Sequence, residues 1–389
     1  MTPRNLKDAF SATETAHCKT IDAYARGRQI DLARSIGGRA KVYLDLCFWI
    51  IAREVEDGTE TRDASRELLC LLRSGVSEGK LVCPISESTF VEVMKQANTP
   101  TRRIATAQLI DELSLGVSLT TGRARIGTEI ARFFYSCNNE RNLYAMQELV
   151  WTKLSYALGY VHPSLPNLDK ATEFALQKSF FDKMWGIGLS EMVETMGDVG
   201  LPFRNEIRQS ASNIDADIKA HMPTLKSYQR TYRDEIVGGL DVCSDLAADV
   251  MASMAERAGK APTERGSPSW IECERMCRNL LIAAFQKPGT KQALRTIHAL
   301  ASLHAGLRWN KMTTFEENHF YDFEHAAAAL AYCDAFLTEG FLSSLAHSRH
   351  TGLCDINGCR VTANVDEALS IVRDLIGRRS AGNSDGKAG

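Results

Sequence analysis

Apolar residues near the start of the chain come in two short blocks with a helical pattern between them. "KVYLDL" (41–46) is an apolar, partly β-branched run of strand length, and "KLVCPIS" (80–86) is a second. Between them Leu68, Leu69, Leu71 and Leu72 recur at helical spacing, and "STFVEVMKQ" (88–96) opens a further helix. Alternation of short buried strands with helices predicts an α/β fold, a parallel β-sheet sandwiched by helices. The alternation resumes late in the chain. Phe323, Ala326, Ala327 and Leu330 form a helical stripe, "AFLTEG" (335–340) a strand and turn, and "FLSSLAHS" (341–348) a helix. "CRVTA" (359–363) supplies a last strand and "VDEALSIVRDLIGRR" (365–379) a last helix.

Between these stretches lie long amphipathic segments with interleaved aromatics, such as "RNLYAMQELVWTKLSYALGY", which predict mostly helix. "AGKAPTERGSPS" (258–269) is the clearest loop among them, and no internal repeat is visible. The expected organisation is a helical appendage (1–37), a first half-domain (38–115), a helical insertion (116–300), a second half-domain (301–379) and a disordered tail (380–389).

The 389 residues, 44% of them hydrophobic, suffice for a large core, and a net charge of -2 offers no global field for a polyanion. A nucleic-acid contact therefore needs a local patch. No apolar stretch approaches the roughly 20 residues that span a bilayer, and "MTPRNLKDAF" lacks a signal-peptide core, so the expectation is a cytoplasmic protein with no membrane partner. Eleven cysteines without secretory context read as reduced thiols.

The candidate chemistry lies in carboxylates. Ligands of open parallel sheets sit beyond the carboxyl ends of the strands, where Asp45 closes "VYLD" and Glu339 closes "AFLTE". Asp322 opens the helix leading into the second of these strands, and Glu92 lies early in the helix after "LVCPIS". Like charges at close range raise one another's pKa unless a cation neutralises them, so a cluster of this kind predicts a divalent metal. An oxygen-only donor set favours Mg²⁺ or Mn²⁺ over zinc.

Taken in order, Asp45, Glu92 in "STFVEVMKQ", and Asp322, Thr338 and Glu339 in "YDFEHAAAALAYCDAFLTEG" resemble the PIN domain, a metal-dependent ribonuclease fold. The likeness covers residues 38–115 and 310–377. It implies an endoribonuclease with one or two Mg²⁺ or Mn²⁺ ions in an acidic pocket, hydrolysing RNA phosphodiester bonds by metal-activated water. Asp45, Glu92 and Asp322 then hold one ion, and Glu339 completes the site or holds a second. Thr338, His325, Arg123 and Arg125 are the expected substrate contacts. Toxin-type members of the family imply, by analogy, an inhibitory protein partner, and metal-site families of this shape imply a homo-oligomer. The chain departs from the family in carrying Glu339 where aspartate is usual and in its large insertion. That departure keeps open a catalytically degenerate PIN-like module that binds protein or nucleic acid.

Several of these residues have plainer explanations. Thr89 and Glu92 have capping-box spacing, with Glu87 as the fallback ligand, and Asp334 suits a turn cap. His325, one turn after Asp322, either meets a ligand or is packed on the helix surface. Arginines in "TTGRARIGTEIARFF" followed by aromatics suit single-stranded RNA, and equally a solvated helix face over buried rings. "HSRHTGLCDINGC" offers four zinc-type ligands, His347, His350, Cys354 and Cys359, with spacing unlike a zinc knuckle.

Overall fold

The computed structural model describes residues 20–95, 100–140, 143–164, 167–197, 204–287, 289–310 and 314–384. In chain order the elements are α1 (Ile21–Ile36), β1 (Ala40–Leu44), α2 (Leu46–Glu56), α3 (Asp63–Ser77), β2 (Leu81–Val82), α4 (Glu87–Lys95), α5 (Pro100–Ser114), β3 (Val117–Leu119), α6 (Gly122–Cys137) and β4 (Trp151–Lys153). There follow α7 (Lys170–Trp185), α8 (Leu189–Met196), α9 (Arg204–His221), α10 (Tyr228–Arg257), α11 (Pro268–Ala284), α12 (Thr290–Ala293) and α13 (Arg295–Trp309). The chain closes with α14 (Asn318–Tyr332), β5 (Ala335–Leu337), α15 (Gly340–Ala346), β6 (Arg360–Thr362) and α16 (Val365–Ser384).

Four short parallel strands form the central sheet in the order β2-β1-β5-β6. Successive side chains of a strand point to opposite faces, and both faces here are covered. Val42, Leu44, Ala335 and Leu337 pack with α2, α3, α5 and α16, whereas Tyr43, Phe336 and Val361 pack with α13, α14 and α15. Helix α14 lies directly on the second face, and its run Ala326–Ala329 is almost fully buried. Small side chains let it approach the sheet closely. The register sets Leu44 beside Leu337, so the next residues, Asp45 and Thr338, emerge side by side at the carboxyl edge.

The mostly helical build with a small parallel sheet agrees with the α/β expectation, but several boundaries move. Helix α1 is no appendage: Ala25, Ile30, Ala33 and Ile36 are buried, and the buried Arg26 guanidinium donates to the Leu149 carbonyl (3.0 Å). Residues 1–19 lie outside the described residues. Just past residue 115, β3 pairs antiparallel with β4 as a separate two-stranded sheet, and its Ser118 makes a single parallel bridge to Ile85, so the first half-domain has no clean edge there.

Helices α6, α10, α11 and α13 share one apolar cluster, in which Ile30 of α1 also takes part, so no linker separates the helical region from the rest. At the other end α16 continues to Ser384, into the stretch expected to be disordered; extending a helix already anchored by packing costs little per residue. Residues 385–389 lie outside the described residues.

Candidate metal centre

Asp45 is the N-cap of α2. The Leu46 N–H donates to Asp45 Oδ1 (2.7 Å), which satisfies a helix-end donor, while the Thr338 hydroxyl donates to Oδ2 (2.7 Å). Only 5% of Asp45 is exposed, so its carboxylate is held in one orientation by two elements that the sheet register brings together. Thr338 is itself buried and serves to position Asp45; the expectation that it contacts substrate is corrected on that ground.

Glu92 enters from α4 and meets His325 of α14, with Glu92 Oε2 2.7 Å from His325 Nε2. The capping-box alternative for Glu92 fails, because Thr89 lies inside the helix and its hydroxyl is 3.1 Å from the Tyr43 oxygen. Glu87, the fallback ligand, accepts from the Gly122 N–H (2.8 Å) and so holds the start of α6 instead.

His325 is completely buried, which corrects its reading as a helix-surface residue. Its Nδ1 lies 2.7 Å from the Tyr43 hydroxyl, which is 2.6 Å from the Ser86 hydroxyl. Its Nε2 stands 2.7 Å from Glu92 and 3.9 Å from Asp45 Oδ1. Burial disfavours charge on the ring, but Tyr43 and the Glu92 and Asp45 carboxylates outweigh it and hold the histidine well above its ordinary range.

Asp45, Glu92 and His325 each offer a ligand atom, and these atoms lie within 4.8 Å of one another. This buried group can hold a metal ion. It is the one such group of three or more His, Cys, Asp and Glu residues among the described residues. Two of the four expected carboxylates, Asp45 and Glu92, are in this group, and a nitrogen donor joins them.

Asp322 and Glu339 stand around this group. Burial first, then the charges of Glu339, Asp45 and Glu92, push the Asp322 carboxyl up to about 7. Burial, then Asp45 and Glu92, raise Glu339 as well. Asp322 and Glu339 therefore both feel the charges of Asp45 and Glu92, and a single histidine can offset only one carboxylate. Among cationic groups, the Lys95 ammonium lies 3.4 Å from the centre of the Tyr321 ring, one turn along α4 from Glu92.

The remaining candidates play other parts. Arg125 is fully buried, donating to the Thr120 carbonyl (2.5 Å) and to Glu324 (3.4 Å), so it cannot meet a nucleic acid. Arg123 is exposed and paired with Asp245. Phe134 and Tyr135 are core residues, the solvated-face reading of that segment. The Asp334 carboxylate accepts from the Lys41 N–H (2.7 Å), a strand-edge role. His347 bonds the Ser343 carbonyl (2.8 Å), Cys354 the Ala346 carbonyl (3.5 Å), and Cys359 is buried, so that segment builds no zinc site.

Sequence reasoning missed Tyr43 altogether. The available signal was period two: Tyr43 and Asp45 share one face of an extended segment. Comparison of the chain with protein-family models, with curated proteins and with solved structures finds no match.

Proposed function

We propose that the chain is a divalent-metal-dependent endoribonuclease whose centre is built on Asp45, Glu92, Asp322 and Glu339, with His325 among them. The observation that carries this reading is the close grouping of Asp45, Glu92 and His325, beside which burial and then the charges of Glu339, Asp45 and Glu92 push the Asp322 carboxyl up to about 7. Such a cluster is costly when bare, and a dication removes much of that cost. The PIN-like order of the same residues in the sequence directs the reading to RNA.

Asp45, Glu92 and His325 would hold the ion. A bound dication would polarise a phosphate oxygen and lower the pKa of its own water. The protein's residues supply the rest. Thr338 and the Leu46 N–H deny Asp45 rotational freedom, so it needs no reorganisation when ligand arrives. Asp322 and Glu339 border the group, where they can orient water or complete the ion's surroundings.

One observation favours a second reading. The Glu92–His325 pair is already closed at 2.7 Å, which suits a PIN-like fold retained as a binding module with no chemistry. Mn²⁺-dependent cleavage of a single-stranded RNA by the unmutated protein and by Asp45→Asn separates the two. Cleavage that disappears in the variant, with its circular dichroism unchanged, is the expected result. Equal cleavage removes Asp45 from the centre. No cleavage together with no metal-induced rise in melting temperature favours the binding module.

A further inference from the structure

We infer that this centre carries a true nitrogen donor, His325 Nε2, oriented from behind by Tyr43, and that it therefore takes a first-row transition-metal dication in preference to Mg²⁺. The inference rests on the metal-centre reading above and specifies which ion that centre selects.

A neutral imidazole has one N–H and one lone pair, and the partner of one nitrogen decides what the other offers. Here Nδ1 faces the Tyr43 oxygen at 2.7 Å. That oxygen has hydroxyl partners of its own, Ser86 at 2.6 Å and Thr89 at 3.1 Å, all within the buried interior. A tyrosine oxygen so placed can accept from Nδ1–H while passing its own proton toward Ser86. When a dication arrives, Nε2 gives up the proton that it donates to Glu92 Oε2 at 2.7 Å, and offers the ion its lone pair.

On that side Nε2 meets only acceptors, Glu92 Oε2 at 2.7 Å and Asp45 Oδ1 at 3.9 Å. An arrangement of one ring nitrogen and two carboxylates is satisfied by a cation between them. Ligating histidines are characteristically fixed in this way, by a partner on the second ring nitrogen. The edge-on packing of the Tyr43 and His325 rings, with centroids 5.7 Å apart, removes the remaining freedom of the imidazole.

Donor chemistry then sets selectivity. Mg²⁺ prefers an all-oxygen shell and sheds water reluctantly, whereas Mn²⁺, Fe²⁺ and Co²⁺ accept mixed nitrogen and oxygen donors, with affinity rising along that series. Tyr43 acts through His325 and is a positioning residue.

The test is titration of the full chain, and of Tyr43→Phe and His325→Gln, with Mg²⁺, Mn²⁺ and Co²⁺ by calorimetry, together with pulsed electron paramagnetic resonance of bound Mn²⁺. The expected results are Co²⁺ binding tighter than Mg²⁺ and ¹⁴N coupling on Mn²⁺ in the unmutated protein that is lost in His325→Gln. Tyr43→Phe should weaken Co²⁺ about 10- to 100-fold while leaving Mg²⁺ nearly unchanged. Bound Mn²⁺ without ¹⁴N coupling overturns the inference and leaves a carboxylate metal centre standing. Equal weakening of Mg²⁺ and Co²⁺ by Tyr43→Phe likewise overturns it, since Tyr43 is then merely structural. Should the unmutated protein bind no dication at all, the metal-centre reading itself falls. If His325→Gln does not fold, the resonance spectrum of the unmutated protein decides alone.

Discussion

Glu92 and His325 join α4 to α14 through a 2.7 Å contact between residues 233 positions apart in the chain. Both side chains are largely out of water, so removing one leaves the other buried without its partner. Glu92→Ala and His325→Ala should each cost about 3–5 kcal/mol, and the double variant should cost less than their sum. Urea denaturation of the three variants measures this. Strict additivity would mean that the two groups do not interact.

Asp45 combines a helix cap with the bond from Thr338. Loss of both in Asp45→Ala should lower stability by about 1–3 kcal/mol, and Thr338→Val by about 1 kcal/mol. Asp45→Asn keeps the side chain's shape and should fall nearer the unmutated protein. Chemical denaturation checks the order. A neutral Asp45→Ala would show that the α2 cap carries no weight.

Arg125 and Arg123 sit two residues apart on α6 and should behave oppositely. Replacing the fully buried Arg125 by methionine leaves Glu324 without its cation and should cost about 2 kcal/mol or more. Arg123→Ala breaks only an exposed pair with Asp245 and should cost less than about 1 kcal/mol. The comparison of melting temperatures is direct, and equal losses would contradict the assignment of Arg125 to the core.

Glu129 predicts a pH effect away from the metal centre. Burial pushes its carboxyl from 4.5 up to about 7, against the opposing pull of Thr296, Tyr332 and Arg125. Because the folded value is raised, its contribution to stability is fully present below about 4.5 and is lost as pH rises through about 7. The change is on the order of 3 kcal/mol. Glu129→Gln should remove this slope, so the stability difference between variant and unmutated protein should shift across that window. A difference independent of pH would refute the account of Glu129.

Much of this architecture could be read from letters. The β1, β2, β5 and β6 strands are short runs, Asp45 and Glu339 follow from where two of them end, and Glu92 and Asp322 from their places on helices beside the strands. The rest depends on tertiary neighbours. Tyr43 reads as one more apolar residue in a strand, since nothing nearby in sequence reveals that its hydroxyl meets Ser86, Thr89 and His325. Arg125 reads as an RNA contact because burial of an arginine is decided by Glu324, 199 positions away. Helix α1 reads as detachable because many of its partners, such as Leu149 and Tyr156, come from much later in the chain.

The central claim is that Asp45, Glu92 and His325 hold a divalent cation. Anomalous diffraction from a crystal of the full chain soaked in Mn²⁺ tests it most directly. The account predicts a peak bounded by Asp45, Glu92 and His325, with Asp322 and Glu339 beside it. A soaked crystal with manganese elsewhere, or with no peak between those three side chains, would contradict it.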